Sequence, residues 1–438
     1  MGSTQDAIEA LLVDARLDGA SRAVVASNAD VADDDTLRRL AAGVFALAGR
    51  ERELAGLGGL GFLDCRSVAD VEVWCASLDR ASSYDYLVGA IVLSWSADRQ
   101  GVYTVLRRAQ DLAERDGRRH LAIAACERLG HHALLFGDLE TARTALEDGL
   151  TLASAQRLGG WRIRCAARLA QLALDADDLE RAADLVDETR ASELSADART
   201  SFAPTAVRLA ALRGDTSAAQ KWASAEMYAL ALDSHDADVA LPATITCILA
   251  ADTQPLSLML SRALRRGLAL VDNPSSAIEF LALAARVGEP DEARLASERL
   301  RAVFAPQRRY LDAHYRLAQA YVLLRGDDRS SAIDSAGDAA RAFDAMGMRR
   351  WANEAMLLLV RHDEIVPHMR RRPTTISLTR REQQVAHLIR RGASNREVAH
   401  ALQISEHTVE RHVSSILSRL GLRSRWQIVD ARISGAEH

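Results

Sequence analysis

The chain has 438 residues, of which 48% are hydrophobic and 26% charged, and its formal net charge is −5. This length and apolar content exclude an intrinsically disordered protein and favour two or three folded domains with large cores. The sequence contains no apolar run of about twenty residues and no basic-then-apolar leader, so it predicts neither a membrane span nor secretion, and we expect a cytoplasmic protein.

Residues 1–85 are the least patterned part of the sequence. Acidic helical stretches near 4–18 and 34–56 surround a segment rich in Ala, Ser and Asp. We therefore expect residues 1–85 to form a helical N-terminal region.

Residues 86–362 contain a repeated turn signal, in which an acidic residue is followed by a small residue four positions later. The small residues of the copies are Ala142, Ala182, Ala219, Ala293 and Ala332, and one copy is skipped between Ala219 and Ala293. This regular recurrence predicts helical hairpins that stack on their neighbours. The units resemble tetratricopeptide repeats, although they are slightly longer than the usual length of about 34 residues. We expect an all-α, tetratricopeptide-like solenoid that binds a peptide, a protein or a small effector, or else a helical spacer without a ligand.

The sequence lacks the residue patterns of an enzyme or a metal site. It has no G-x-x-x-x-G-K-[ST] phosphate-binding loop, and its single lysine, Lys221, has no glycines around it. The adjacent His131 and His132 are interpreted as a coincidence on a helix face rather than as metal ligands. We expect a non-enzymatic protein without cofactor or metal. The cysteines share no C-x-x-C spacing and are predicted to be reduced core residues: Cys65, Cys75, Cys126, Cys165 and Cys247.

Residues 363–377 are predicted to form a linker. Pro367 and Pro373 prevent a helix from continuing through this segment, and three consecutive arginines between them favour solvent exposure. The charge also changes here, since residues 368–438 contain thirteen arginines against six acidic residues. A basic C-terminal segment therefore follows an acidic body, which is typical of a protein that binds nucleic acid.

Residues 378–438 contain the signals of four short helices. Three helix starts have a hydroxyl residue followed three positions later by a carboxylate or amide, in the pairs Thr379 and Glu382, Ser394 and Glu397, and Ser424 and Gln427. Ser405 is a simpler cap for a further helix. Glycines at 392 and 421 are placed where helices should end.

The apolar spacing of these helices predicts one shared core and a tight corner. The residues expected to face inward are Val385, Leu388, Ile389, Val398, Ala399, Leu402, Val409, Val413, Ile416, Leu417 and Leu420. Only Gln403 and Ile404 separate Leu402 from the cap Ser405, which predicts a helix-turn-helix whose next helix enters the major groove of DNA. The opposite face of that helix carries Glu410, Arg411, Ser414, Ser415 and Ser418.

At these motifs the segment resembles the LuxR-type DNA-binding domain. The resemblance lies in the runs 378–382, 392–399, 404–409 and 420–425, which occur in the family's order. It implies a four-helix domain that binds double-stranded DNA as a homodimer, with the last helix pairing the two subunits. It also implies base contacts near Glu410, Arg411 and Ser414, and backbone contacts near Asn395, Arg396, Thr408 and Arg425. Trp426, in the last helix, is expected either to fill the small core or to cover the subunit contact.

Glu410 departs from the family pattern, because members commonly have a lysine at this position. Two interpretations follow. Either a phosphate or guanine contact is missing from this chain, or the glutamate accepts a hydrogen bond from cytosine N4. The operator sequence therefore does not follow from the resemblance.

The sequence as a whole predicts a transcriptional regulator. Helical repeats followed by this domain resemble the large ATP-dependent LuxR-family regulators without their ATPase domain, and whether the chain is a piece of such a protein stays open. In this hypothesis the repeats receive a small-molecule or protein signal that controls the DNA-binding end. The alternative is a protein-binding scaffold whose C-terminal helices serve docking. Neither the effector nor the direction of regulation follows from the sequence.

Overall fold

The structure, a computed structural model, is entirely helical in the part of the chain that it describes. That part comprises residues 2–27, 35–48, 54, 56–57, 61–78, 80–95, 98–190, 196–213, 215–223, 225–233, 243–247, 249, 280–281, 283–285, 290–303, 309–326, 328–361, 380–390 and 393–420. The chain divides into two compact units, residues 1–353 and 354–438. Among the described residues no helix combines the length and apolar character that a membrane crossing requires. The predicted all-α class is confirmed.

The N-terminal region is helical, as expected. Its helices are α1 (Gly2–Val13), α2 (Leu17–Ala26), α3 (Asp35–Ala48), α4 (Val68–Ser77) and α5 (Ser83–Trp95), with a short 3-10 turn at Phe62–Asp64. A partly buried ion pair joins two of them, because Arg39 of α3 donates from Nε to Oδ1 of Asp85 in α5 at 2.8 Å. Asp85 is buried and Arg39 is 20% exposed, and their contact links the two helices.

The next helices begin at a constant interval along the chain. They are α6 (Arg99–Arg115), α7 (Arg119–Leu135), α8 (Leu139–Ala155), α9 (Gly159–Asp175) and α10 (Leu179–Arg190). The same interval recurs later in α15 (Arg309–Arg325), α16 (Arg329–Ala345) and α17 (Arg349–Arg361). Between the two sets lie α11 (Ala196–Arg213), α12 (Thr216–Trp222), α13 (Ala225–Asp233) and α14 (Pro290–Val303). Two helices make one period, since the repeated phrase begins α8 and then α10, which is compatible with the repeat expected from the sequence.

Local backbone chemistry explains this interval. In the repeated phrase the acidic residue is the N-cap: Asp138 accepts from the amide of Thr141 at 3.2 Å, and Asp178 accepts from the amide of Arg181 at 3.1 Å. The preceding residue has left-handed backbone, with φ of 75° at Gly137 and 65° at Asp177. This conformation ends the helix before it. The end of one helix and the N-cap of the next therefore fit within three residues.

The small residues of the repeated phrase are packing positions. Those that follow the acids by four positions are all buried: Ala142, Ala182, Ala219, Ala293 and Ala332. A methyl group at the first turn lets a neighbouring helix approach closely. Their burial is compatible with the stacked hairpins expected from the sequence, whereas the likeness to tetratricopeptide repeats stays a prediction. The five cysteines are also free and buried, as expected.

Long-range contacts distinguish residues 1–353 from an open stack in which each repeat touches only its neighbours. The indole of Trp161 in α9 donates to the carbonyl of Leu12 in α1 at 2.9 Å. Gly137, in the turn after α7, faces Met346 so closely that a Cβ atom would overlap its side chain. Helix α15 also packs against α7. The first and last helices of this unit therefore share a core with the middle ones.

The C-terminal unit includes three described helices around a small core. They are α18 (Arg380–Arg390), α19 (Asn395–Leu402) and α20 (Glu406–Leu420). Their buried residues are Val385, Ala386, Ile389, Val398, Ala399, Val409 and Ile416, with Leu388, Leu402 and Val413 partly buried beside them. The predicted inward face is confirmed at these positions. The predicted linker 363–377, the cap Thr379, the glycines at 392 and 421 and the fourth helix lie outside the described residues.

Candidate nucleic-acid interface

Helix α19 begins with a capping box. The amide of Glu397 donates to Oγ of Ser394 at 3.3 Å, and the amide of Ser394 donates to Oε2 of Glu397 at 2.7 Å. These reciprocal bonds satisfy two amides that the first turn leaves without helical partners. The backbone and hydroxyl hydrogen bonds from Ser394 also lower the pKa of Glu397 below its usual value. The predicted cap is confirmed.

The corner between α19 and α20 is as tight as the sequence requires. Gln403 ends α19 in the left-handed conformation, with φ of 53° and ψ of 48°. The amide of Ile404 then donates back to the carbonyl of Ala399 at 3.0 Å. Ser405 caps α20, since its Oγ accepts from the amide of Thr408 at 3.1 Å. Two residues therefore separate Leu402 from the cap Ser405, which is the short connection of a helix-turn-helix.

Arg381 connects α18 to this corner, a role that the sequence did not reveal. Its Nη2 donates to the carbonyl of Leu402 at 2.6 Å, and its Nη1 donates to Oε1 of Gln384 at 3.0 Å. The carbonyl of Leu402 belongs to the last turn of α19 and has no helical partner. The signal was present in the sequence only as an arginine in the first turn of α18. Its partner is 21 residues away, beyond the range of a helix pattern.

The predicted DNA-contacting residues fall into groups of different exposure. Arg396, Glu410 and Arg411 are exposed, while Asn395 and Thr408 are half-buried. Thr408 is also engaged locally, because its hydroxyl lies 2.8 Å from Oγ of Ser405. The remaining two are not described at side-chain level: Ser414 lies in α20, and Arg425 lies outside the described residues.

The N-terminal half of α20 presents a mixed charge to solvent. Glu406, His407, Glu410 and Arg411 are all exposed, while Val409 between them is buried. Glu410 is 61% exposed, and its Oε2 lies 3.6 Å from Nδ1 of His407. The exposed part of this half of α20 therefore carries two carboxylates and one guanidinium. These carboxylates would repel phosphates, whereas they could accept hydrogen bonds from cytosine amino groups.

Comparison with known families identifies the kind of domain that has this geometry. The family model described as bacterial regulatory proteins of the luxR family matches residues 376–431. Residues 376–431 form a LuxR-family helix-turn-helix domain. The match includes the capping box, the two-residue corner and the exposed face of α20, and it leaves residues 1–375 unassigned.

Relatives of the LuxR-family domain carry regulatory names. The transcriptional regulatory protein DegU of Brevibacillus brevis is 49% identical over 59 residues, which are 14% of this chain and 25% of DegU. The response regulator protein VraR of Staphylococcus aureus is 48% identical over 52 residues, or 12% of this chain and 25% of VraR. An HTH-type transcriptional regulator of Mycobacterium tuberculosis is 37% identical over 90 residues, or 19% of this chain and 10% of that protein. The chain thus spans a quarter or less of these relatives.

Proposed function

We propose that this chain is a sequence-specific DNA-binding transcriptional regulator. The observation that carries the proposal is the capped corner between α19 and α20 inside a segment that matches the LuxR family. A helix held at such a corner fits the major groove, and Arg411 on its exposed face has the forked donors that pair with guanine. Arg396, exposed in the first turn of α19, is assigned a phosphate contact.

The remaining contacts of the proposed interface follow the LuxR family pattern. Glu410 and Ser414 are assigned to base edges, and Asn395, Thr408 and Arg425 to the DNA backbone. The domain is proposed to pair two copies of the chain on a two-fold symmetric site, as helix-turn-helix dimers do. Bacterial DNA lies in the cytoplasm, so we place the protein there.

Residues 1–353 are proposed to receive the signal that controls DNA binding, in the form of a small molecule or a protein. The support is their architecture, since stacked helical hairpins provide extended surfaces and recesses for ligands. A regulator also needs a part that responds to conditions, and the LuxR-family domain accounts for a small share of this chain. No enzymatic step is proposed for either unit.

The proposal is tested by selecting bound sequences from a pool of random DNA duplexes with the full chain, across a salt series. Enrichment of a paired half-site motif, with affinity that falls steeply as salt rises, supports a dimeric regulator that neutralises several phosphates. The double variant R396A/R411A should lose the enrichment. The matched control R107A/R143A removes the same charge from exposed positions on α6 and α8 and should behave like the unaltered chain.

A second function is favoured by the acidic residues on α20. Glu406 and Glu410 are both exposed where phosphate is expected to approach, which suits docking to a basic protein surface. In that case the selection yields no motif, and R396A/R411A binds duplex DNA as weakly as the unaltered chain. The same experiment therefore separates the regulator from a helical scaffold whose C-terminal helices serve docking.

A further inference from the structure

Helix α9 carries a row of polar residues on the face that points into the first unit. Arg164, Arg168, Gln171 and Asp175 follow one another at spacings of four, three and four, which places them on one side of a helix. Asp175 is fully buried, whereas the other three are half-buried. We refer to these four residues as the α9 row. Such a row inside a folded unit is unusual, because polar side chains normally face solvent.

The Asp175 end of the α9 row is well compensated. Its carboxylate accepts from Nε1 of Trp351 at 2.7 Å and from Nε2 of Gln171 at 2.9 Å. Arg350 lies 3.6 Å from the same oxygen, and Arg208 donates to Gln171 at 3.0 Å. Oδ1 of Asp175 thus has two hydrogen-bond donors and a cation beside it, whereas the buried Oδ2 has no hydrogen-bond partner among the described residues. The contacts at this end hold α9 against the neighbouring helices, so we assign them a structural role.

The Arg164 end of the α9 row has an excess of positive charge. Glu127 of α7, which is 1% exposed, pairs with Arg128 at 2.6 Å and with Arg168 of α9. Arg164 adds a third guanidinium within electrostatic range of the same carboxylate. Three cations therefore share one anion. The adjacent His131 adds no further positive charge at neutral pH, because burial and the neighbouring Arg168 and Arg128 hold its pKa well below 6.5.

This end is also partly accessible to solvent. The side chain of Arg168 is 26% accessible, so a small anion can reach its guanidinium. Nε of Arg164 is buried and has no hydrogen-bond partner among the described residues. Buried charge that lacks compensation is costly, so an anion bound here would stabilise the fold.

We propose that this end of the α9 row binds an anionic small molecule through Arg164 and Arg168, with Arg128 adding to the positive field. The ligand class is a metabolite with adjacent oxyanion groups, either a diphosphate or a polycarboxylate. Guanidinium groups recognise both because their forked donors match paired oxygens. The inference deepens the proposed function, since it locates the part of the regulator that receives the signal. A large polymer is disfavoured as the ligand because Glu127 and Arg128 lie almost fully buried.

The test is isothermal titration calorimetry on the full chain, with sodium pyrophosphate in one arm and sodium citrate in the other. Sodium chloride at equal ionic strength is the blank. We expect saturable binding of one anion per chain in at least one arm, and the arm that binds identifies the ligand chemistry. The variant R164Q should raise Kd by about tenfold, which is the effect of losing one charge-assisted contact. R143Q removes an exposed arginine from α8 and should leave Kd unchanged.

Arg164 is chosen because Arg168 supports Glu127 directly, so its removal would disturb the fold as well as the site. The thermal unfolding of each variant without ligand is measured in parallel. If R164Q does not fold, R164K replaces it, because lysine keeps the charge but loses the fork and should bind the anion more weakly than the unaltered chain. Absence of saturable heat with both anions overturns the proposal, as does equal affinity of the unaltered chain and the Arg164 variant.

The calorimetric result does not depend on DNA, so the two proposals fail separately. Anion binding without a selected DNA motif would support the anion site and contradict the proposal that the chain is a DNA-binding regulator. A selected motif without anion binding would support the DNA-binding regulator and would mean that the signal binds elsewhere in the chain. When both hold, the anion that binds should change the affinity for the selected duplex, and R164Q should abolish that change.

Discussion

The indole Nε1 of Trp351 donates a hydrogen bond to the carboxylate Oδ1 of Asp175 at 2.7 Å, across 176 residues of sequence. The guanidinium of Arg350 lies over the Trp351 ring at 4.2 Å and approaches the same carboxylate at 3.6 Å. Burial raises the pKa of Asp175 above its usual value, against the opposing effect of Arg350 and Arg208. One buried carboxylate thus joins α9 to the start of α17.

Replacing Trp351 by Phe tests this connection. The ring packing is kept, but Asp175 loses a buried hydrogen-bond donor, which should cost about 1–3 kcal/mol of unfolding free energy. Urea unfolding followed by circular dichroism measures the loss. A double-mutant cycle with D175A isolates the pair, because alanine removes the oxygen that accepts from the indole. Additive effects of the two substitutions, within about 0.5 kcal/mol, would show that the residues are not coupled.

The ion cluster around Glu127 predicts a dependence of stability on pH. Burial alone would raise the pKa of Glu127, but Arg128, Arg168 and Arg164 together hold it well below 4.5. Because the folded pKa is below the unfolded one, this carboxylate adds stability that is fully present above pH 4.5 and is lost as the pH falls through the folded pKa. The variant E127Q should lack this dependence.

At neutral pH, E127Q should also be less stable by about 3–5 kcal/mol, because three arginines lose their only close counter-charge among the described residues. Unfolding free energies measured between pH 3 and 7 give both quantities. The matched control is E147Q, which neutralises an exposed glutamate of α8. Equal pH profiles for E127Q and the unaltered chain would contradict the assigned ion cluster.

Local features of the fold were predictable from the sequence. The acids of the repeated phrase cap helices at Asp138 and Asp178, and Ser394 caps α19, because each cap needs only residues within one helical turn. The alanines of the phrase are buried for the same local reason, since their spacing from the cap sets the face they occupy. The helix-turn-helix could also be predicted from the sequence.

The contacts that join distant helices were not predictable. Trp351 meets Asp175, and Trp161 meets Leu12, at separations of 176 and 149 residues, and no helical period encodes such pairs. Glu127 would be placed on the surface by its residue type, yet it is buried between arginines from two helices. The sequence therefore did not predict a role for the α9 row, because the surroundings of these residues depend on which helices pack against them.

The capping box of α19 predicts a local loss of stability in S394A. Alanine removes the acceptor for the Glu397 amide, and loss of an N-cap costs about 1 kcal/mol. Hydrogen exchange of the α19 amides in the full chain measures the change where it occurs. S394T keeps the hydroxyl and should exchange almost as slowly as the unaltered chain. Equal protection in S394A would mean that the cap does not support the corner.

Gln403 predicts the opposite effect, because a residue other than glycine is held there at φ of 53°. Left-handed backbone strains side-chain-bearing residues, so Q403G should slow the exchange of the α19 and α20 amides by an amount that corresponds to at most about 1 kcal/mol. Q403N should be intermediate, since asparagine tolerates this conformation. Faster exchange in Q403G than in the unaltered chain would show that the glutamine side chain contributes more than the strain costs.

Glu410 provides a test of how α20 meets DNA. If a phosphate contact is missing here, E410K should restore it, raise affinity for duplexes in general, and steepen the dependence of log affinity on log salt by about 0.9. If Glu410 instead accepts from a cytosine amino group, E410K should lose affinity for the selected motif alone and shift the preferred base at one position. Fluorescence anisotropy on the selected duplex and a scrambled one, across a salt series, separates the two outcomes.

The matched control for E410K is E147K, which makes the same charge change on an exposed turn of α8, in the other compact unit. Long-range attraction between the whole chain and DNA would raise affinity in both variants by the same factor and would disappear as salt screens it. A contact at α20 must change the salt slope or the base preference in E410K alone. If E410K and E147K bind both duplexes equally at every salt concentration, Glu410 lies away from the DNA, and the exposed face of α20 is free for the docking function.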